Sequence, residues 1–404
     1  MRTIRLTEWV GAPVELRPRE LEELDALPQG LLVVAPQRDG SFRLTPRSHV
    51  GTIALPSLRL LIRPKCGLRN VLLMLSYASG IAWSASDFPY EPEDLTHAIA
   101  WWFDREAQHA TRHGLHRDYV DRSESLATVR GRPAIDRQVA AHPGRRVPIS
   151  CRFQEHGEDT VLNRVIKAAH LALLRMPDLD RALSARLRHR ARQVLGDVSS
   201  VEYGPAAVPD LALTRQHRAW RPAALLAELV LRQQALRDEL GHVWGRAFTV
   251  NMEALFQRFV ETIVRERATA SGFALEACVT RPLTLAAEQA DGSVAAAVRI
   301  APDLVVTRGG LPVAVGDVKY KAPRLEIGDV YQLVTYCVRL GLEHGLLIYC
   351  GEAPLRERPV IDASLTCATI GIDVCGDADS VVRRARAAAD VLVQQAAAAR
   401  QRAA

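Results

Sequence analysis

Two aspartates and a lysine in this chain are spaced to do phosphate chemistry. Asp303 lies in the apolar run Ala301-Pro302-Asp303-Leu304-Val305-Val306, and Asp317 and Lys319 lie in Val315-Gly316-Asp317-Val318-Lys319-Tyr320-Lys321. Both runs have strand character. Between them, Thr307-Arg308-Gly309-Gly310-Leu311-Pro312 offers adjacent glycines with the positive φ angles that a reversal needs. A turn centred near Gly310 sets Asp303 opposite Asp317, and alternation along the strand gives Lys319 the face of Asp317. Carboxylates embedded in apolar strands are costly unless paired or metal-bound. The convergence therefore predicts a site for a hard divalent cation, Mg²⁺ with Mn²⁺ as an alternative. Mg²⁺ keeps several waters and is commonly held by one or two carboxylates plus substrate phosphate. Such an ion lowers the pKa of bound water and polarises a phosphoryl oxygen. Lys319 would orient the water or neutralise charge growing on the phosphate.

The flanking segments must hold these groups in place. Residues 248–270 read as a long helix, with Met252, Leu255, Phe256, Phe259, Val260, Ile263 and Val264 at helical spacing. Segments of β type follow at 273–279 and 295–306, then the strand of Lys319. A second helix, 329–340, buries Val330, Leu333, Val334, Cys337 and Leu340, and Gly341 is placed to end it. Residues 345–350 form a buried strand. The order is helix, three strands, helix, strand. On the second helix Gln332 and Tyr336, four apart, share one face away from the apolar stripe. On the first, Glu253, Gln257 and Glu261 follow at four-residue steps, and Glu253 or Gln257 is the candidate third metal ligand.

Pro302-Asp303, a spacer and Asp317-Val318-Lys319 together resemble the signature of the PD-(D/E)xK nucleases. The resemblance implies that Asp303 and Asp317 bind metal, that the Val318 backbone carbonyl also ligates it, and that Lys319 assists hydrolysis. Gln332 and Tyr336 resemble the Q-x-x-x-Y signature of RecB-like members, where these residues position the substrate or the lysine. The implied catalytic set is Asp303, Asp317, Lys319, Gln332 and Tyr336.

Landmarks upstream carry a second resemblance. They are Leu61-Ile62-Arg63-Pro64-Lys65 with Met74-Leu75-Ser76-Tyr77-Ala78, Val129-Arg130-Gly131-Arg132, Cys151-Arg152-Phe153, and Asp159-Thr160-Val161-Leu162-Asn163-Arg164. With Leu255-Phe256-Gln257-Arg258-Phe259-Val260 and the Asp317–Lys321 run, they resemble the McrC family, nuclease subunits of McrBC-type restriction directed at 5-methylcytosine. Relatives more often carry Glu where Gln257 stands, and glutamine offers only a neutral carbonyl oxygen. The resemblance implies an α/β chain, α+β overall, in three parts. Residues 1–160 would be a β-rich partner-docking region, 161–245 helical, and 246–404 a PD-(D/E)xK nuclease domain of order αβββαβ. It also implies a McrB-like AAA+ GTPase hexamer as partner, with double-stranded DNA as substrate. The chain has no G-x-x-x-x-G-K-[ST] phosphate loop, so GTP hydrolysis is assigned to that partner.

Composition agrees with these expectations. The 404 residues suffice for two or three domains, and a net charge of +6 is compatible with a polyanionic partner. Arg145, Arg146, Arg188, Arg190, Arg192 and Lys321 are the candidate phosphate contacts. No secretory signal or bilayer-spanning apolar run is evident. The seven scattered cysteines, without a C-x-x-C, point to a reducing compartment and hence the cytoplasm. The tail from residue 387, rich in alanine, reads as a helix that frays. Two other functions fit the same residues: a stand-alone RecB-like repair nuclease, and a non-catalytic GTPase-activating docking subunit.

Overall fold

The computed structural model describes residues 1–28, 30–81, 94–176, 179–204, 207–211, 213–232, 246–282, 299–360 and 365–403. The chain begins with β1 (Arg2–Thr7), β2 (Ala12–Val14), helix α1 (Pro18–Asp25), β3 (Leu32–Pro36), β4 (Phe42–Pro46), β5 (His49–Ala54) and β6 (Leu58–Arg63). Helix α1 is absent from the sequence reading because only Leu21 and Leu24 are apolar over its eight residues. Local chemistry starts it instead: Pro18 pre-sets φ, and the Glu20 carboxylate accepts the Arg17 N–H at 2.9 Å.

Helices α2 (Leu68–Ser79) and α3 (Leu95–Thr111) come next. They lead into an arm built from β7 (Asp118–Leu126), β8 (Arg132–Pro133), α4 (Ile135–Ala141) and β9 (Ile149–Gly157). Then follow α5 (Val161–Leu174), α6 (Arg181–His189), α7 (Arg221–Arg232), β10 (Arg246–Asn251) and the long helix α8 (Met252–Ala270). The part expected to be helical, 161–245, extends beyond the described residues after Arg232, as does the start of the expected β segment at 295.

The last part comprises β11 (Ala274–Ala277), β12 (Arg281–Pro282), β13 (Arg299–Ile300), β14 (Leu304–Arg308), β15 (Leu311–Lys319), α9 (Ile327–Leu340), β16 (His344–Cys350), β17 (Arg356–Val360), β18 (Leu365–Ile372) and α10 (Ala378–Ala403). Its six-stranded sheet has the order β11-β14-β15-β16-β18-β17. β14 runs antiparallel to β15, while β15, β16 and β18 are mutually parallel. Both faces are covered, which is why these strands read as unbroken apolar runs. Val305, Val315, Leu347 and Tyr349 pack beneath Leu333, Tyr336 and Cys337 of α9. Leu304, Val306, Ala314, Val318, Leu346 and Ile348 face the other way, into the largest core, with α8 and α10.

The tail is a helix that packs against the core as far as Ala396. Val381, Ala385, Ala388, Ala389, Leu392 and Ala396 are buried at helical spacing against α8 and β15. Their small side chains permit close approach, so alanine serves packing here.

The front and the back of the chain are joined directly. Strand β10 pairs antiparallel with β5 in the sheet β1-β6-β5-β10. At the crossing Gly51 has φ 131°, and a Cβ there would meet the Phe248 carbonyl oxygen at 2.1 Å. Tyr77 of α2 sits edge-on to Phe259 of α8, with ring centroids 5.5 Å apart. Buried Asn70 donates to the Val374 and Gly376 carbonyls at 2.8 and 3.0 Å. Among the described residues no helix is long and apolar enough to cross a membrane.

Candidate active site

The hairpin at residues 304–319 sets the geometry. Leu304 pairs with Gly316 and Val305 with Val315, so the register carried one step further puts Asp303 across from Asp317. The turn is the two-residue kind: Arg308 pairs with Leu311, and Gly309 and Gly310 take φ of 57° and 81°. Between the pairs Val306–Ala314 and Thr307–Pro312 the register shifts by one, leaving Val313 as the extra residue of a bulge beside Pro312, which has no N–H for the ladder. Asp303 precedes β14 in a bend, leaving its side chain free to turn towards β15.

Asp303 is held from two sides. Its Oδ2 accepts the Val318 N–H at 2.8 Å, and its Oδ1 accepts from Gln257 Nε2 of α8 at 2.8 Å. Asp317 is 1% exposed. Lys319 Nζ lies 2.7 Å from Asp317 Oδ2, an ion-pair contact whose direction leaves that buried oxygen without an aligned hydrogen-bond donor. Burial, and then the charge of Asp317, push the Asp303 carboxyl above the ordinary carboxylate range; the Val318 N–H pulls the other way.

The lysine is positioned from α9. Lys319 Nζ donates to Gln332 Oε1 at 2.8 Å, and Gln332 Nε2 donates to the Tyr336 hydroxyl at 2.6 Å. Gln332 and Tyr336 thus form one relay, but Tyr336 does not lie away from the apolar stripe as expected. Only 4% of it is exposed, among Leu333 and Cys337. Burial pushes its phenol up to about 12, so it stays protonated at neutral pH.

The structure sorts the third-ligand candidates. Gln257 touches Asp303, whereas Glu253 is exposed in the first turn of α8 and Glu261 pairs with Arg265 at 2.7 Å. Sequence reasoning missed Cys278. Its Sγ accepts from Gln257 Nε2 at 3.0 Å, its N–H donates to the Asp303 carbonyl at 3.3 Å, and its φ of 52° is unusual for a side-chain-bearing residue. An isolated cysteine after a short strand gave no signal.

These residues fit a hard cation. Two carboxylates converge, one of them with a buried oxygen lacking an aligned donor, and the Gln257 amide steadies the other. Among the described residues no group of three or more His, Cys, Asp or Glu gathers as a full protein cage. A donor set of that size suits an ion that keeps waters and takes phosphate oxygens, as Mg²⁺ does.

The candidate phosphate contacts divide. Arg145 and Arg146 are exposed on the arm after α4, and Arg188 and Arg192 are exposed within and beyond α6's last turn, respectively. Arg190 is a correction: it is 8% exposed, and its Nε meets Asp104 Oδ1 at 3.1 Å, so it serves the interior. Lys321 is engaged by Glu326 at 2.8 Å and Asp329 at 2.9 Å.

Comparison with known proteins adds independent findings. Residues 44–350 match the model of a family described as McrBC 5-methylcytosine restriction system component. Over 309 residues the chain is 22% identical to the type IV methyl-directed restriction enzyme EcoKMcrBC of Escherichia coli K12, covering 71% of this chain and 86% of that protein. Its fold is similar to a chain of the refined half-complex from a tetradecameric assembly of Thermococcus gammatolerans McrB AAA+ hexamers with bound McrC. There the TM-score is 0.62 at 19% identity, covering 95% of this chain and 99% of the other.

Proposed function

The chain belongs to the family of McrBC 5-methylcytosine restriction system components, and from that premise we propose that it is the Mg²⁺-dependent endonuclease subunit of such a system. The run from α8 through β16 is then its PD-(D/E)xK core, and the parts 1–160, 161–245 and 246–404 divide docking, linking and cutting. The observation that carries this reading is the meeting of Asp303, Asp317 and the Lys319 ammonium beside a buried carboxylate oxygen with no aligned donor.

Asp303 and Asp317 would hold the ion, with the Val318 backbone carbonyl as the third protein donor and Gln257 orienting Asp303. When bound, the ion supplies Lewis-acid polarisation of the scissile phosphate and a more acidic water. The chain's own groups do the rest. The Val318 N–H and Gln257 keep the Asp303 carboxylate aimed at Asp317. Gln332, itself bonded to Tyr336, keeps the Lys319 ammonium forward, where it neutralises charge developing on the phosphate.

The docking surface is proposed on the arm. Helix α4 buries no side chain, and Val129, Ile135, Val139 and Val147 are all more than half exposed there, interleaved with Arg130, Arg132, Arg145 and Arg146. Large apolar side chains gathered on a projecting element mark an interaction site. The occupant is an AAA+ ring, as McrC is bound to McrB AAA+ hexamers in the Thermococcus gammatolerans assembly; for this chain's partner we propose a GTP-hydrolysing ring whose GTPase the docked chain would stimulate.

The test is cleavage of methylated duplex DNA by the chain with its AAA+ partner, GTP and Mg²⁺. Asp303→Ala and Asp317→Ala should each abolish cutting while complex formation and GTPase stimulation persist. Cutting at the normal rate by either variant rejects the assignment. Full-rate cutting without the partner would instead indicate a solitary RecB-like nuclease. GTPase stimulation with no cutting by the unaltered chain would indicate a non-catalytic activator.

A further inference from the structure

Glu8 is a buried acid whose place no packing requirement explains. It follows β1 and is 0% exposed. Its Oε1 accepts the Lys65 N–H at 2.8 Å and the Tyr320 hydroxyl at 2.7 Å, while its buried Oε2 has no partner. A leucine would fill that space without the cost of desolvating a carboxyl. The bond to Tyr320 spans 312 residues of chain and joins the amino-terminal sheet to the residue next after Lys319.

Tyr320 is fixed at its ring as well as at its hydroxyl. The ring lies 5.8 Å from Phe256, tilted by 53°, and Phe256 immediately precedes Gln257 on α8. Alternation along the strand sends Tyr320 and Val318 to one side of the sheet and Asp317 and Lys319 to the other. Holding Tyr320 therefore holds the backbone from which the Lys319 side chain reaches Asp317 and Gln332. The same ring contact steadies the turn of helix that presents Gln257 to Asp303.

We propose that Glu8 is a positioning residue for strand scission: through Tyr320 it fixes the end of the strand that carries Asp317 and Lys319. This rests on the nuclease reading above. It ties the amino-terminal sheet, part of the proposed docking portion 1–160, to the geometry of the cutting site.

The experiment measures kcat and KM for cleavage of methylated duplex DNA by the full chain with its AAA+ partner. It compares Tyr320→Phe, Glu8→Leu and Glu8→Gln, with Asp317→Ala alongside. Misplacing a reacting group by about 1 Å costs up to ~100-fold in rate. Tyr320→Phe and Glu8→Leu should thus lower kcat about ten-fold or more while KM for DNA stays within about two-fold. Burial raises the Glu8 carboxyl's pKa, so glutamine is a close mimic, and its amide oxygen still accepts from Tyr320 and Lys65. Glu8→Gln should accordingly restore most of kcat. Tyr320→Phe deletes one hydroxyl and carries the test if Glu8→Leu fails to fold. Wild-type kcat in Tyr320→Phe overturns the proposal, as does Glu8→Gln falling as far as Glu8→Leu. Loss of cutting in Asp317→Ala with no change in Tyr320→Phe overturns this proposal alone. Undiminished cutting by Asp317→Ala removes the nuclease reading and this proposal with it.

Discussion

Gln257 sets how the Asp303 carboxylate is presented to an ion. Its amide nitrogen donates to Asp303 and to Cys278, which turns its carbonyl oxygen away from both. As a neutral partner it steadies a carboxylate that burial and the charge of Asp317 already disfavour. Removing a group that orients a metal ligand commonly costs 10–100-fold in affinity or activity. Gln257→Ala should therefore raise the Mg²⁺ concentration for half-maximal cutting about ten-fold, read from a metal titration of cleavage. Gln257→Glu asks a sharper question. A third carboxylate beside Asp303 repels it when no cation is present and ligates when one is. The variant should be less stable than the unaltered chain in chelator and gain more in thermal midpoint on adding Mn²⁺. An equal gain in the two proteins would place residue 257 outside the ion's reach.

At the scale of elements, Gly51 shows how the two ends of the chain are held in register. Its φ of 131° and the 2.1 Å gap a Cβ would face against Phe248 leave room for nothing larger. Gly51→Ala should weaken the β5–β10 pairing and cost about 2 kcal/mol or more, measured by chemical denaturation. On the arm, Ile135→Ser with Val139→Ser should leave stability unchanged, because neither side chain is buried. The pair should nonetheless weaken capture of the AAA+ partner in a pull-down, and undiminished capture would move docking elsewhere. Which elements were legible follows from the same physics. The hairpin could be read from two glycines, two apolar runs and period-two alternation, but a two-residue turn alone would set Asp303 opposite Gly316, and it is the bulge past Val306 that brings Asp317 there. Helix α1 could not be read, since two leucines make no periodicity. The buried tyrosine of the Q-x-x-x-Y pair was misjudged because a phenol's burial depends on where α9 lands, as did the docking of α10. Arg190 looked like surface charge until α3 supplied Asp104, 86 residues earlier. Glu8 and Cys278 gave no pattern at all, because their partners are distant in sequence.

For the molecule as a whole, one core runs from α2 and α3 through α5 and α7 to α8 and α10, so front and back should unfold together. His170 of α5 gives that core a pH dependence. It is 0% exposed and lies 4.6 Å from the Phe103 ring. Its Nδ1 lies 2.8 Å from the Ile166 carbonyl, an acceptor, so Nδ1 carries the proton, and Nε2 is buried without a partner. Burial lowers its pKa from 6.5 to about 4, against the smaller upward pull of the Ile166 bond. Between those two values the unfolded chain binds the proton and the folded chain does not. The stability this neutral histidine permits is therefore complete above pH 6.5 and is lost as pH falls towards 4. At pH 5 the loss comes to about 2 kcal/mol. Glutamine at this position still donates to Ile166 and does not titrate. Between pH 7.5 and pH 5, then, His170→Gln should lose about 2 kcal/mol less unfolding free energy than the unaltered chain. Parallel pH profiles for the two proteins would mean that the imidazole is already charged within the fold, with a partner other than Ile166.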